Sequence, residues 1–143
     1  LAIDLDRPDS NSLTRIEKPQ TISRPDTLKL GDVLFDFNKA DLKPEGRLML
    51  EKFFGSKQQQ QPIDSIFIEG HTDSIGSNET NYKLSLNRCR SVETWLQQNN
   101  IVSSSGIQLH SFGKTRPIAT NKTVHGRALN RRVEVIIFRR KDQ

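Results

Sequence analysis

Apolar and polar positions follow one another along most of this chain in short segments, whose length and period predict strands and helices. Residues 63–69 place Ile66 and Ile68 on one face and Phe67 on the other, which is typical of a central strand. Three further apolar runs of similar length also predict strands, and they cover residues 33–37, 107–112 and 133–138.

Apolar residues at helical spacing predict two main helices between these strands. The first covers residues 44 to about 57, where Pro44 suits the first turn and Glu45 favours the positive end. The second covers residues 78–98, and a short segment at 127–130 precedes the last strand. A strand, a helix and another strand form a parallel pair with a right-handed crossover. The pattern therefore predicts an α/β fold, a two-layer sandwich of two helices over about four strands.

Both ends of the chain lack a sustained hydrophobic period. Residues 1–30 mix charged and small polar residues with three prolines, and we predict an extended linker or tether with a short strand near residues 28–30. Residues 31–140 are predicted to form one domain, and residues 141–143 a basic tail. Because no apolar run approaches the roughly 18 residues of a membrane-spanning helix, contact with a membrane is expected only through a segment outside this chain.

The charge balance narrows the classes of partner. The chain has 22 Lys and Arg against 17 Asp and Glu, a net charge of +5, and its isoelectric point is about 9.6. Such a balance favours nucleic acid, lipid head groups or an acidic polymer without choosing among them. The basic residues are not interleaved with exposed aromatic residues that would stack on bases, so we expect no nucleic-acid binding.

The helix at residues 78–98 carries a charge where charges are rare. At about 100° of rotation per residue, the side that carries Leu84, Val92 and Leu96 also carries Arg88 in its middle. A desolvated, unpaired arginine costs several kcal/mol, so an anionic partner or a route to solvent is needed. Asp73, which follows the strand at residues 63–69, is the nearest strong candidate because ligands gather at the carboxyl ends of strands.

Two interpretations of Asp73 and Arg88 remain open from spacing alone. In one, the two side chains form a structural salt bridge. In the other, they are held a few ångströms apart and bind a zwitterion together, the carboxylate taking an ammonium group and the guanidinium a carboxylate.

Other chemistries have less support in the sequence. His71, Asp73, His110 and His125 match no familiar set of metal ligands, so we predict no metal site, and His71 is expected to form hydrogen bonds that shape its loop. No placed nucleophile or carboxylate pair indicates an enzyme, and no cofactor is predicted. Cys89 is interpreted as a small residue at the border of the apolar stripe.

Three segments together resemble a known family, and they read LFDFNKADLKPEG, IFIEGHTDSIGSNETNYKLSLNRCRSV and SFGKTRPIATNKTVHGRALNRRVEV. Their order and spacing are similar to those of the OmpA C-terminal-like domain family, which includes peptidoglycan-associated lipoproteins and the flagellar stator protein MotB. The resemblance runs from about residue 30 to residue 139. It implies an OmpA-like βαβαβ(α)β arrangement with about four mixed strands.

The resemblance also implies a function, which is non-covalent and non-enzymatic binding of bacterial peptidoglycan through the diaminopimelate of its stem peptide. In that family an aspartate after the second strand and an arginine on the following helix hold the ligand's amine and carboxylate, and they match Asp73 and Arg88. Asn81 matches an asparagine of the loop before the helix. Arg131 is expected to supply a cation for a second carboxylate, with Arg132 as the alternative.

Further residues are assigned to the site through the same resemblance. Phe37 and Asn38 belong to a turn that matches a rim offering backbone groups to the ligand, and Thr72 and Leu84 complete the predicted ligand-binding set. The sequence departs from the family pattern at Thr80, where an aromatic residue is usual, and at Asn38, where aspartate is usual.

Members of the family live in the periplasm or at the outer membrane, so the resemblance implies a wall-anchoring module whose tether leads to a barrel, lipid anchor or transmembrane helix. A second hypothesis, from another class, is a protein-interaction or assembly domain of a motor or secretion complex on the same scaffold. Self-association into a homodimer belongs to that second hypothesis. A third, a hydrolase acting on the wall, would release soluble muropeptides, which we do not expect.

Overall fold

The computed structural model describes residues 25–55 and 62–140, except for the side chain of Ser104. Within these ranges the chain forms four strands, three α-helices and two short 3-10 turns, Asp32–Leu34 and Ser104–Gly106. In chain order the main elements are β1 (Asp26–Gly31), α1 (Pro44–Gly55), β2 (Ile63–His71), α2 (Asn78–Gln98), β3 (Ile107–Gly113), α3 (Val124–Asn130) and β4 (Arg132–Arg139). None of the described helices is both long and apolar enough to cross a membrane.

The strands form one mixed sheet in the order β1-β4-β2-β3. β2 and β3 are parallel neighbours joined through α2, whereas β4 runs antiparallel to both β1 and β2. This arrangement confirms the predicted α/β fold with four mixed strands. The first predicted parallel pair is different, because β4 lies between β1 and β2 and those two strands are not neighbours.

The strand predicted at residues 33–37 is wrong. Its first residues belong to a 3-10 turn, and Phe35 makes only an isolated bridge to Leu42. Backbone groups of this run bond within its own loop, where the amide of Lys43 donates to the carbonyl of Leu34 at 2.8 Å and the amide of Asp36 to the carbonyl of Asp41 at 3.0 Å. The edge strand is β1 instead, whose Leu30 pairs with Val133 of β4.

β1 also bears on the predicted linker. Its residues 26–31 overlap the end of the segment predicted as a tether, where a short strand near residues 28–30 was expected. Residues 1–24 and the basic tail at 141–143 lie outside the described residues. α1 ends at Gly55, and the remainder of its predicted range, residues 56 and 57, also lies outside them.

One apolar core lies between α1, α2 and the sheet. Leu50 and Phe54 of α1 and the buried side of α2 cover alternate residues of the strands, which the β-strand period directs to one face. On α2 that side comprises Cys89, Val92, Trp95 and Leu96, with Arg88 also buried among them.

A close approach of α2 to β2 fixes where the helix crosses the sheet. A Cβ at Gly70 would lie 2.7 Å from the carbonyl oxygen of Ser85 and 2.9 Å from the sulfur of Cys89, so only glycine fits there. Cys89 is fully buried at this contact, and burial, reinforced by the charge of Glu69, raises the pKa of its thiol to about 12. Cys89 is therefore a packing residue, and the end of β2 is held against the first half of α2.

Candidate ligand-binding site

A small pocket opens where β2 ends and α2 begins. It encloses about 260 Å³ of space open to solvent. Its walls contain six of the residues assigned to the site from sequence, and also His71 and Ser85, which were not. The complete lining is His71, Thr72, Asp73, Asn81, Leu84, Ser85, Arg88 and Arg131.

Asp73 stands on the loop that follows β2. Its Oδ1 accepts a hydrogen bond from the backbone amide of Ile75 at 2.9 Å, a local turn that fixes the carboxylate. Thr72 is tied down as well, because its amide donates to the carbonyl of Gly113 and its hydroxyl to the carbonyl of Asp73, both at 2.9 Å. The Asp73 carboxylate is therefore presented by a fixed backbone, with its second oxygen directed elsewhere.

Arg88 has an anionic partner, as its position required, but that partner is Asp32. Its Nη1 contacts Asp32 Oδ1 at 2.6 Å, and its Nε donates to the carbonyl of Lys39 at 2.9 Å. The guanidinium carbon also lies 4.8 Å from the centre of the Phe35 ring. The interpretation of Asp73 and Arg88 as a direct salt bridge is therefore wrong, although both side chains line the same pocket.

Arg131 joins the two aspartates. Its Nη1 contacts Asp73 Oδ2 at 2.6 Å, and its Nε contacts Asp32 Oδ2 at 3.2 Å. Partial burial acts to lower the pKa of Arg131, but the hydrogen bonds to Asp73 and Asp32 outweigh burial and the net shift is upward. Arg131 therefore remains a cation at all accessible pH values.

The alternative to Arg131 is directed away from the pocket. Arg132 is buried, its Nε contacts Glu134 Oε2 at 2.6 Å, and its terminal nitrogens donate to the carbonyls of Asn130 and Arg116. Of the two consecutive arginines, Arg131 is the one that lines the pocket.

Asp32 pairs with both arginines of the pocket, and the sequence reasoning missed it. It begins the 3-10 turn after β1, at the junction between the segment predicted as a linker and the segment predicted as a strand. A signal was available, because the buried Arg88 required a carboxylate and every aspartate at the end of a strand was a candidate. Its separation of 56 residues from Arg88 hid the pairing.

The loop between β2 and α2 is shaped by short-range hydrogen bonds. Asn81 Nδ2 donates to the carbonyl of Ile75 at 2.7 Å, across Gly76, whose φ of 91° favours glycine. Ser77 caps α2 by accepting from the amide of Thr80 at 3.1 Å. Asn81 therefore holds the loop, and Leu84 supplies the apolar part of the pocket wall.

The turn that contains Phe37 and Asn38 lies beside the site but does not line the pocket. Phe37 is 84% exposed, and Asn38 adopts a left-handed conformation with φ of 54°. The turn reaches the charged cluster through Lys39, whose carbonyl accepts the hydrogen bond from Arg88. Its predicted role as a rim remains a prediction.

His71 differs from expectation. Among the described residues neither of its ring nitrogens has a hydrogen-bond partner, so the predicted hydrogen bonds that shape the loop are wrong. The ring instead stacks on Phe112 with centroids 5.5 Å apart. Burial, together with the charges of Arg132 and Arg116, lowers the pKa of His71 to about 4 despite the opposing effect of Glu134.

Glu69, His71 and Glu134 come close enough together to offer atoms to a metal ion, with their ligand atoms within 4.8 Å of one another. Arg132 already neutralises Glu134, and the positive charges that lower the pKa of His71 would also repel a metal cation. These positive charges therefore disfavour a metal centre at this cluster.

Comparison with known proteins identifies the family. The model of the OmpA family matches residues 34–131, more than half of the chain. The chain belongs to the OmpA family. It is 46% identical over 108 residues to outer membrane protein A of Bordetella avium, covering 74% of this chain and 54% of that protein. It is 39% identical over 103 residues to outer membrane porin F of Pseudomonas aeruginosa, covering 72% of this chain and 29% of that protein.

Solved structures of OmpA-like domains agree with the fold. The periplasmic domain of Helicobacter pylori MotB matches with a TM-score of 0.66 and 28% identity, covering 83% of this chain and 78% of that one. The cell wall anchor of the T6SS from Pseudomonas aeruginosa gives 0.67 and 25%, covering 85% and 90%. The peptidoglycan-associated lipoprotein from Burkholderia pseudomallei gives 0.60 and 25%, covering 76% and 88%.

These matches show the general role of the domain. The relatives are outer membrane or cell envelope proteins of Gram-negative bacteria, and the chain spans about half or less of the length of the two relatives above. OmpA, MotB and the peptidoglycan-associated lipoproteins share this domain as a structural and binding module.

Proposed function

We propose that the pocket binds the zwitterionic end of diaminopimelate in the stem peptide of peptidoglycan, and that the domain anchors a larger envelope protein to the cell wall. The observation that carries this proposal is the placement of Asp73, Arg88 and Arg131 around one solvent-open pocket. A carboxylate suits an ammonium group, and guanidinium groups suit carboxylates.

Geometry supports each assigned role. The Oδ2 atom of Asp73, which Arg131 contacts, would take the amine of the ligand. Arg88 and Arg131 would take carboxylate oxygens with guanidinium nitrogens. Leu84 would pack against the methylene groups between the charged ends, and Asn81 and Thr72 would add hydrogen bonds from the adjacent wall.

Two structural neighbours support the same role. One of them is a cell wall anchor of a secretion system, and another is a peptidoglycan-associated lipoprotein. We place the domain in the periplasm, facing the wall, with attachment to the outer membrane through a segment outside this chain. The role is non-catalytic and needs no cofactor, and the net charge of +5 favours approach to an anionic polymer such as the cell wall.

The test is retention of the full chain on purified sacculi. Asp73→Ala removes the carboxylate for the amine, and we expect pulldown to fall to background while circular dichroism stays unchanged. Asp41→Ala, at an exposed aspartate outside the pocket, is the matched control and should be retained like the parent. Full retention of Asp73→Ala would refute the proposed site.

The second candidate is an assembly domain of a motor or secretion complex, and the similarity to MotB and to the T6SS anchor favours it over unrelated roles. Light scattering after size-exclusion chromatography separates the two. A stable homodimer that fails to bind sacculi would favour assembly, and a monomer that binds sacculi favours anchoring. A wall hydrolase would instead release soluble muropeptides, which neither candidate predicts.

A further inference from the structure

Four side chains of alternating charge form a continuous series through the pocket. Arg88 contacts Asp32, Asp32 contacts Arg131, and Arg131 contacts Asp73. We propose that Arg131 contacts the Asp73 oxygen that would take the ligand's ammonium group, and that Asp32 is the positioning residue that retains Arg131 when the ammonium group displaces it from Asp73. This inference rests on the proposed function of the pocket.

Both oxygens of the Asp73 carboxylate already have donors. Oδ1 accepts from the amide of Ile75, and Oδ2 is contacted by Arg131 at 2.6 Å. Each oxygen could accept a second hydrogen bond, but an ammonium group at Oδ2 would lie beside the guanidinium of Arg131, and the repulsion between the two cations favours displacement of Arg131. Arg131 thus supplies Asp73 with the positive charge that the amine of a ligand would bring.

Of the two arginines, Arg131 is the one that can move. Its side chain is 33% exposed, and it contacts each aspartate through a single nitrogen. The side chain of Arg88 is only 6% exposed, and it is fixed by Asp32, by the carbonyl of Lys39 and by the ring of Phe35. Arg131 therefore has fewer fixed contacts to give up than Arg88 when a ligand enters.

Asp32 determines what happens to Arg131 after displacement. Its Oδ2 contacts Nε of Arg131, so the arginine keeps one anion while its terminal nitrogens turn to a ligand carboxylate. Without this carboxylate, Asp73 would be the only anion left to Arg131 in the series. The ligand amine would then have to displace a stronger ion pair, although Asp32 itself touches no ligand atom.

The same arrangement defines the class of ligand. Two aspartates and two arginines sum to zero charge, and a zwitterion preserves that balance when it enters. An amine without a carboxylate would release Arg131 and offer it nothing in return. We therefore expect 1,5-diaminopentane, which has the carbon chain of diaminopimelate without its carboxylates, to bind at least about tenfold more weakly, a difference of about 1.4 kcal/mol.

Calorimetric titration of the full chain with diaminopimelate tests the role of Asp32. We expect Asp32→Asn to weaken binding at least about tenfold, Asp32→Glu to retain more affinity than Asp32→Asn, and the exposed control Asp41→Asn to match the parent. Failure of the parent to bind would overturn the proposed function and this inference together. A parent that binds, with Asp32→Asn equal to Asp41→Asn, would overturn the role of Asp32 alone.

A double-mutant cycle separates positioning from loss of structure. Because Asp32 acts partly through Arg131, the loss of affinity caused by Asp32→Asn should be smaller when Arg131→Gln is already present. Circular dichroism establishes that all four proteins of the cycle are folded. Strictly additive losses in folded proteins would show that Asp32 does not act through Arg131, and would overturn the proposal.

Discussion

Arg88 illustrates how a single buried charge organises this site. It faces the core side of α2, where an unpaired guanidinium would be strongly destabilising, and it is neutralised by Asp32 from the far end of β1. Two nitrogens of one planar group are used, one for Asp32 and one for the carbonyl of Lys39. The charged pocket and the attachment of the turn at Lys39 therefore depend on the same side chain.

Replacing Arg88 with lysine should expose this dependence. An ammonium group cannot reproduce both hydrogen bonds and the contact with Phe35, so we expect Arg88→Lys to lower the free energy of unfolding by about 1–3 kcal/mol and to weaken binding of diaminopimelate. Urea unfolding and calorimetry measure the two effects. Arg90→Lys, on the exposed side of the same helix, should change stability by less than about 0.5 kcal/mol, and an equal effect of both variants would contradict the assignment.

Local rules predicted the placement of two pocket residues, Arg88 and Asp73, and the family resemblance supplied the other predicted site residues. The helical period placed Arg88 on the core side of α2, and the end of β2 placed Asp73 at the pocket. Sequence reasoning failed for Asp32 because that contact depends on how β1 enters the sheet, which is decided by pairing with β4 far along the chain. It also failed for His71, since only the packed structure reveals whether a buried ring finds hydrogen-bond partners.

At the scale of elements, the parallel unit formed by β2, α2 and β3 was predictable, and a short strand was expected near residues 28–30, but the sheet strand predicted at residues 33–37 was wrong. The period and length of the apolar pattern predicted α2 with the bounds that the structure has. The run at residues 33–37 resembled a strand by composition. The edge strand is β1 instead, because its Leu28 and Leu30 extend the core face of β4. Composition alone does not distinguish a strand from an apolar loop such as this one, in which Phe35 is buried and Val33 and Phe37 are exposed.

The contact of Gly70 with α2 gives a prediction at this scale. A methyl group at Gly70 would meet the backbone of Ser85, so α2 must shift, and we expect Gly70→Ala to lower the free energy of unfolding by about 1–3 kcal/mol. Binding of diaminopimelate should weaken too, because Arg88 moves with α2. Gly31→Ala is the control for urea unfolding, since nothing lies within 4 Å of its added carbon and its φ is −74°. An unchanged stability of Gly70→Ala would show that the helix is not held there.

At the scale of the whole molecule, the pocket continues into a larger groove. The groove encloses about 500 Å³ including open solvent, shares Asn81 with the pocket, and carries Tyr82, Phe112 and Lys114 along its walls. A polymer fixed by one residue in the pocket would extend along such a surface. Under the proposed function, the groove would offer area to the parts of peptidoglycan that free diaminopimelate lacks.

Tyr82→Ala should separate the two surfaces. We expect the exposed Tyr82 to contribute to retention on sacculi, with a loss of about threefold to tenfold for a partly buried aromatic contact, while the affinity for free diaminopimelate stays the same. Tyr82→Phe keeps the ring and should behave like the parent. Equal losses for the polymer and the free amino acid would place Tyr82 in the pocket rather than in the groove.

The path of β1 has a mechanical consequence. The strand begins at Asp26 at one end of the sheet and ends next to Asp32, and β2 runs in the same direction to the loop that carries Asp73. A force between the preceding chain and a ligand held in the pocket would therefore act along the strands. The ladder between β1 and β4 would be loaded in shear, with its six residue pairs resisting together instead of opening one after another.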